Sequence, residues 1–419
     1  MTLFEHERIR VGQTIDGHTL SSSTFDTIAA WQERCKERYV EIGHRSIRAT
    51  QWVGVIQVGT DVIEILPKAD ANRDTDTGRD KSIQYWKFAL LQMVAALRGF
   101  RFRHSERASL QLQKHSLLEV FHWMFVEEAE ALLREGLVKA YRKVQRNRPA
   151  WRGRLVVSED IKRNLVHRER VYTDAMEYDI HNSWNRILVA GLFKVVQRTS
   201  SHLLKAKTRG LLLPYLDWNN RSVGAGEFDR LHYDRRTDRY REAMELARLL
   251  LLDQNPDLQR GSSEVFSLLF DMNKLWEAWV AHEVRKKIKG TTWTLKTQSV
   301  KAFWEGGKTG SETSTKTIKP DLLLIPGPES EELRLWQDDF PALKGRTVLD
   351  TKWKTSDSYI PGDADLKQMY VYNKLYGIHQ ALLLYPKPRG CRDVQVAGQG
   401  AFQDQERSRC AVAFLDLPG

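Results

Sequence analysis

Two short apolar runs in the C-terminal third each carry an aspartate at one end, and that arrangement limits what the chain can build around them. Pro320-Asp321 opens the run Leu322-Leu323-Leu324-Ile325, and Thr347-Val348-Leu349 runs into Asp350-Thr351-Lys352. Runs this short and this aliphatic read as strands. Side chains alternate across a strand, so Asp350 and Lys352 share one face while Thr351 points away. A neighbouring strand can bring Asp321, 29 positions upstream, to that same face. Two carboxylates placed there can hold a hard divalent cation, with an ammonium beside the water it binds. The expectation is a metal-dependent phosphodiester-cleaving site.

The three-residue pattern alone is weak. An acid two residues before a lysine also occurs at Asp160-Ile161-Lys162 and Asp365-Leu366-Lys367, where a solvated strand edge or a structural ion pair is the usual meaning. Asp350 differs in context, since it ends an apolar strand and has a Pro-Asp strand as a candidate neighbour.

A chain of 419 residues has material for two or three domains. With 41% hydrophobic and 28% charged residues and a mean hydropathy of −0.50, the composition is that of a soluble globular protein. No apolar stretch approaches the ~20 residues that span a bilayer, so no membrane partner is expected. Met1 to Arg10 contains Glu5 and Glu7 and no apolar core, so no secretory signal is visible. Cys35, Cys391 and Cys410 show no metal-ligand spacing and read as reduced thiols. Together these features imply a cytoplasmic protein. A net charge of +11 points to a polyanionic partner. Between Lys139 and Arg154 stand seven basic residues and no acid, with Tyr141 and Trp151 interleaved. That segment suits DNA phosphates, an acidic partner protein, or simply a solubilising face.

The expected fold class is α+β and multidomain. Residues 1–80 form a β-rich domain, with strands over 38–42, 46–58 and 61–66 and a turn at Gly59-Thr60. Residues 81–255 form a helical region, with helices over 85–97, 117–137, 182–204 and 240–252. The basic segment 141–157 projects from it as an extended β-hairpin, because Pro149 and Gly153 interrupt any helix there. Residues 256–419 form a C-terminal α/β domain in which a long helix over 264–289 leads into strands near 293–300, 319–325, 346–351 and 380–385. The polar stretch 69–81 reads as a linker, 253–263 as a boundary, and 306–316 as a mobile loop.

Other motifs fail. Gly306-Gly307-Lys308-Thr309 lacks the earlier glycine of a phosphate-binding loop, because Ala302 occupies its position. Any nucleotide hydrolysis therefore belongs to a partner chain. His282-Glu283 has no second histidine four residues after His282, and no Gly-x-Ser-x-Gly elbow occurs.

Several segments together resemble the McrC family, the nuclease subunits of the McrBC modification-dependent (5-methylcytosine) restriction system. Trp151-Arg152-Gly153-Arg154-Leu155, Ile161-Lys162-Arg163-Asn164 and Asn185-Arg186-Ile187-Leu188 resemble its central region. Gly54 to Gly59 and Ile63 to Lys68 resemble the N-terminal β module of longer members, and Asp271 to Glu277 the helix before the nuclease strands. Lys319-Pro320-Asp321 and Leu349-Asp350-Thr351-Lys352 match the PD-(D/E)xK motif. The likeness runs from about residue 50 to 386.

The resemblance implies a PD-(D/E)xK restriction-endonuclease-like C-terminal domain. It also implies an endonuclease subunit that cuts modified double-stranded DNA, docks on a McrB-like hexameric AAA+ GTPase and stimulates GTP hydrolysis. A projecting finger, placed at about 142–170, would enter the ring, with Arg152, Arg154, Lys162 and Arg163 as contacts. Asp321 and Asp350 would bind Mg²⁺, with the Thr351 carbonyl as a third ligand and Glu277 as a possible fourth. Lys352 would act on the attacking water, and Gln368 and Tyr372 would position that lysine or touch DNA. The residues by themselves also allow a stand-alone nuclease without a GTPase, or a non-catalytic adaptor regulating an AAA+ motor.

Overall fold

Trp52–Val58 and Asp61–Leu66 are nearly continuous apolar runs separated only by Gly59-Thr60, and they close into an antiparallel hairpin with Val58 opposite Asp61. Gly59 takes φ +55° in that turn, a conformation that a side chain disfavours. The computed structural model describes residues 1–67, 76–98, 116–218, 223–252, 265–306, 314–328, 332–335, 342–354, 360–387, 396–403 and 407–417. Most of the expected 69–81 linker, the 253–263 boundary, residues 307–309 and Cys391 lie outside them. The chain divides into two units, residues 1–113 with 269–419, and residues 114–268. The N-terminal β region therefore shares one unit with the C-terminal strands, where the sequence suggested separate domains.

In the first unit the chain opens with β1 (Thr2–Phe4), β2 (Arg8–Arg10), β3 (Thr14–Ile15), β4 (His18–Thr19) and α1 (Ser22–Arg34). It continues through β5 (Val40–Gly43), β6 (Ser46–Ala49), β7 (Trp52–Val58), β8 (Asp61–Leu66) and α2 (Asp76–Arg98). β1 joins the β7–β8 hairpin in parallel to β8, while β2, β6 and β5 form a small separate sheet.

The second unit contains α3 (Leu117–Glu135), β9 (Ala140–Arg148), β10 (Arg154–Leu155), α4 (Val157–Asn164) and β11 (Val171–Asp179). Helices α5 (Ser183–Arg198), α6 (His202–Leu212), α7 (Ala225–Asp229) and α8 (Arg241–Leu252) follow. The basic strand β9 pairs with β11 along its whole length, Ala140 opposite Asp179 and Arg148 opposite Val171. Its partner is thus not within 141–157, as a simple hairpin there would require. Tyr240 and Asn185, both fully buried, hold the foot of this sheet. The Tyr240 hydroxyl accepts from the Val138 N–H at 2.9 Å and donates to Asn185 at 2.8 Å, and Asn185 Nδ2 donates to the Val138 and Ile180 carbonyls.

The chain re-enters the first unit through β12 (Val265–Asp271), α9 (Met272–Ile288), β13 (Thr294–Thr297), β14 (Lys301–Gly306) and β15 (Ser314–Ile318). Next come β16 (Leu322–Ile325), β17 (Thr347–Thr351), α10 (Asp363–Tyr376), β18 (Gln380–Pro386), β19 (Val396–Ala401) and β20 (Arg409–Leu415). Six of these strands form one sheet in the order β13-β16-β17-β18-β20-β19. β16 runs antiparallel to β17, while β17, β18 and β20 are parallel. Met369, Tyr372 and Tyr376 of α10 pack with Leu323, Val348 and Leu383 on one face of it.

Two expectations are corrected. The helix expected from 264 to 289 starts only at Met272, and Val265–Asp271 is a strand. Val265, Phe266, Ser267, Leu268 and Phe270 are all buried, so the segment has no polar stripe to expose and suits a strand covered on both faces. Asp271 then caps α9 by accepting from the Asn273 N–H at 2.9 Å. Gly306 and Ser314–Lys316, expected in a loop, belong instead to the β14–β15 hairpin.

Candidate active site

β16 and β17 set Leu322 opposite Leu349. One step further along both chains, Asp321 comes opposite Asp350. Directly opposed residues of antiparallel strands lie about 4.5–5.5 Å apart at Cα, so the two aspartates are neighbours. Asp321 Oδ2 accepts from the Thr351 N–H at 2.8 Å and the Thr351 hydroxyl at 2.7 Å. Thr351 therefore turns toward Asp321, contrary to the expectation that its side chain points away. Asp321 precedes the first residue of β16, so strand alternation does not fix its direction.

Asp350 is 2% exposed. Its Oδ2 lies 2.8 Å from Lys352 Nζ as an ion pair. Burial pushes the carboxyl up to about 6, and the charge of Asp321 adds to the rise, which Lys352 only partly opposes. Lys352 is held from the other side by Gln368, whose Oε1 accepts from Nζ at 2.9 Å. Gln368 Nε2 in turn donates to the Tyr372 hydroxyl at 2.8 Å, and that hydroxyl donates to the Lys319 carbonyl at 3.1 Å. Burial disfavours the Lys352 ammonium, but the charge and hydrogen bond of Asp350, with the charges of Asp365 and Asp321, together outweigh it and raise the pKa. Burial pushes Tyr372 up to about 12. At neutral pH both groups are proton donors.

Glu277, on α9, accepts from Gln298 Nε2 at 2.8 Å. Burial raises its pKa; Gln298 opposes the rise and the charge of Asp321 adds to it. Gln298 links several parts of the site, since its Oε1 accepts from Lys319 Nζ at 2.6 Å and its N–H donates to the Asp321 carbonyl at 2.9 Å. Its φ of +51° is uncommon for a residue with a side chain. Nothing in the sequence marks Gln298.

Asp365 was set aside in the sequence as part of a surface pattern, and half of that reading fits. Lys367 pairs with Asp363 in solvent at 2.9 Å, but Asp365 is 8% exposed. It lies 3.8 Å from Lys352 Nζ, 2.5 Å from Lys354 Nζ and 3.2 Å from the Tyr385 hydroxyl. Its spacing from Gln368 and Tyr372, three and seven positions, is the signal that could have placed it on their helix face. The other pattern, at Asp160, is structural, because its Oδ1 accepts from Asn164 Nδ2 and the Tyr172 N–H, both at 2.7 Å.

The donor set fits Mg²⁺. Both carboxylates offer oxygen, and the charge of each bears on the other, as expected of two ligands that can share a hard cation. Among the described residues no cage of three or more His, Cys, Asp or Glu side chains converges. A site of two carboxylates and a carbonyl suits an ion that keeps several of its waters.

The residues expected to meet a partner lie in the second unit. Gly153 has φ +78°, and a Cβ there would stand 2.3 Å from the Asp174 carbonyl oxygen, so only glycine lets this turn close onto β11. Arg152 and Arg154 flank it, both exposed. Lys162 and Arg163 on α4 are also exposed and pair with Glu159. The basic run of β9 is largely neutralised by acids of β11: Arg142 pairs with Asp179, Lys143 with Asp174, and Arg146 and Arg148 with Glu177. Arg152 and Arg154 make no ion pair among the described residues, although their charges act on Glu177 and Asp174.

Fold and site together define a multi-sheet α+β protein with two adjacent aspartates and a lysine at the ends of two inner strands of its largest sheet. The chain belongs to the family described as McrBC 5-methylcytosine restriction system component, whose model matches residues 47–386. Its fold is similar to a chain of a refined half-complex from the tetradecameric assembly of Thermococcus gammatolerans McrB AAA+ hexamers with bound McrC. That match has a TM-score of 0.68 and 19% identity, covering 99% of this chain and 94% of the other. A second similar structure, from the cryo-EM McrBC complex of the same organism, has a TM-score of 0.51 and 21% identity, covering 69% of this chain and 88% of that one. No curated protein sequence matches. No helix among the described residues is long and apolar enough to cross a membrane.

Proposed function

We propose that this chain is the McrC-type subunit of its McrBC system, a cytoplasmic Mg²⁺-dependent endonuclease for modified double-stranded DNA that also stimulates the GTPase of an AAA+ partner. The observation that carries the nuclease reading is the buried Asp350 carboxylate, paired with the Lys352 ammonium at 2.8 Å and beside a second carboxylate. Asp321, Asp350 and the Thr351 carbonyl would hold the ion, with Glu277 close enough to sense the charge of Asp321. Bound Mg²⁺ would supply a more acidic water and a counter-charge for the phosphate.

The chain's own groups do the rest. The paired donors of Thr351 fix the direction of the Asp321 carboxylate. Gln368 and Tyr372 fix Lys352, whose retained proton makes it a donor to the developing negative charge on phosphate rather than a base. Stimulation of the partner is assigned to the module bearing Arg152, Arg154, Lys162 and Arg163, because the first two are exposed and make no ion pair among the described residues.

The test is reconstitution with a McrB-type AAA+ GTPase, reading NTP hydrolysis and cutting of methylated against unmethylated DNA. Asp350→Ala should abolish Mg²⁺-dependent cutting and leave NTPase stimulation intact. Charge reversal at Arg152 and Arg154 should do the opposite. Cutting by the Asp350 variant would exclude this site. Full cutting by the chain without a partner would instead favour a stand-alone nuclease.

A further inference from the structure

The strands β14 and β15 form a two-stranded hairpin outside the main sheet, inserted between β13 and β16. Every residue from Lys301 to Glu305 is exposed, and on the return strand Ile318 packs against the core of the main sheet. The exposed strand carries large apolar side chains: Val300 is 59% exposed, Phe303 49% and Trp304 50%. The register slips between Ala302 and Trp304, a bulge at Phe303, and bulges re-aim side chains. Lys316 and Lys319, on the return strand and just beyond it, are exposed as well. An isolated hairpin is marginal in water, and exposed aromatics on it cost solubility without helping it fold.

The base of the hairpin is tied to α10. Lys301 Nζ donates to the Leu375 carbonyl at 2.9 Å and lies 4.7 Å from the Tyr376 ring centre. The Tyr376 hydroxyl donates to the Ser299 carbonyl, and the Tyr372 hydroxyl to that of Lys319. Both feet thus rest on the helix whose Gln368 holds Lys352, and the return strand leads within three residues to Asp321.

The geometry points to the β14–β15 hairpin as a DNA-contacting arm of the nuclease site, with Phe303 and Trp304 against bases and sugars and Lys316 and Lys319 on phosphates. This rests on the proposed nuclease function for the identity of the ligand. Rings flanked by lysines are the chemistry that meets nucleic acid. Anchoring on α10 holds that contact in fixed relation to Lys352 and Asp321, so the arm would set which phosphate reaches the aspartates.

The test uses the full chain and a fluorescein-labelled 30-base-pair duplex, with Ca²⁺ replacing Mg²⁺ so that binding is read without cutting. The double variant Phe303→Ser/Trp304→Ser should weaken binding about tenfold or more. Trp304→Phe should retain most of the affinity, and Lys316→Glu should weaken binding and flatten its salt dependence. Wild-type affinity in the serine double variant and in Lys316→Glu overturns the proposal. So does a loss confined to association with the AAA+ partner, which would make the arm a protein contact. Retained cutting by Asp350→Asn would remove the nuclease reading while leaving the binding result to stand or fall separately.

Discussion

Each unit buries a carboxylate, and the two are treated in opposite ways. Glu119, in α3, is 4% exposed and accepts from the Thr199 hydroxyl at 2.6 Å, the Ser200 N–H at 2.6 Å and the Ser200 hydroxyl at 3.0 Å. Burial alone would raise its pKa, but the interaction with His122 and the donors of Thr199 and Ser200 overcome it and hold the carboxyl at about 2. Asp350 is equally buried, faces a second carboxylate and has the Lys352 ammonium as its ion-pair partner at 2.8 Å; its carboxyl rises to about 6. A buried charge met by several donors fastens a fold, whereas one crowded by a like charge costs stability and persists where function needs it.

That contrast can be tested by variants that should behave in opposite ways. The largest effect is expected at Lys352. Its replacement by alanine removes the ammonium beside Asp350 and should reduce DNA cleavage by about a hundredfold or more, measured at saturating Mg²⁺ and DNA; a loss under threefold would make the lysine a structural partner. Next is Glu119→Gln, which presents an amide NH₂ to groups that are already donors. It should destabilise the protein by about 1–3 kcal/mol, read as a lower urea midpoint, while cleavage by the folded fraction stays unchanged. Asp350→Asn should do the reverse, losing cleavage while the metal-free protein at pH 8 becomes more stable by about 0.5–2 kcal/mol, because a carboxyl raised to about 6 even with Lys352 beside it is ionised at a net cost. A lower melting temperature for Asp350→Asn would contradict the idea that this charge is held at a cost.

The smallest effects lie in pH dependence. The folded pKa of Asp350 lies above its unfolded value of 3.8. The folded state therefore binds the extra proton, and stability rises as pH falls from about 6 toward 4. For Glu119 the folded pKa lies below 4.5, so its contribution is full above 4.5 and is lost as pH falls toward 2. The stability gap between Asp350→Asn and wild type should shrink between pH 7 and 4, and that of Glu119→Gln only below pH 4.5. Thermal melts across that range check both windows.

How much of this was legible in the sequence depended on how local each interaction is. The runs at 322–325 and 347–351 announced themselves through their length and aliphatic content, and strand alternation placed Asp350 with Lys352. β12 was lost in a helix reading because a buried strand and a buried helix turn look alike over seven apolar residues. The basic run of β9 read as an open cationic patch because its acidic partners stand 29 to 37 residues away on β11, and nothing local announces such a pairing. Asp365 was visible but undervalued. Gln298 was not visible at all, since its role comes from a backbone conformation and from three neighbours contributed by α9 and the strand ahead of Asp321.

Binding of Mn²⁺, a spectroscopic substitute for Mg²⁺, to the full chain tests the central claim most directly. Electron paramagnetic resonance titration should find one site in wild type, retained in Lys352→Ala and lost or weakened at least about tenfold in Asp321→Asn and in Asp350→Asn. Undiminished Mn²⁺ binding by both asparagine variants would contradict the account.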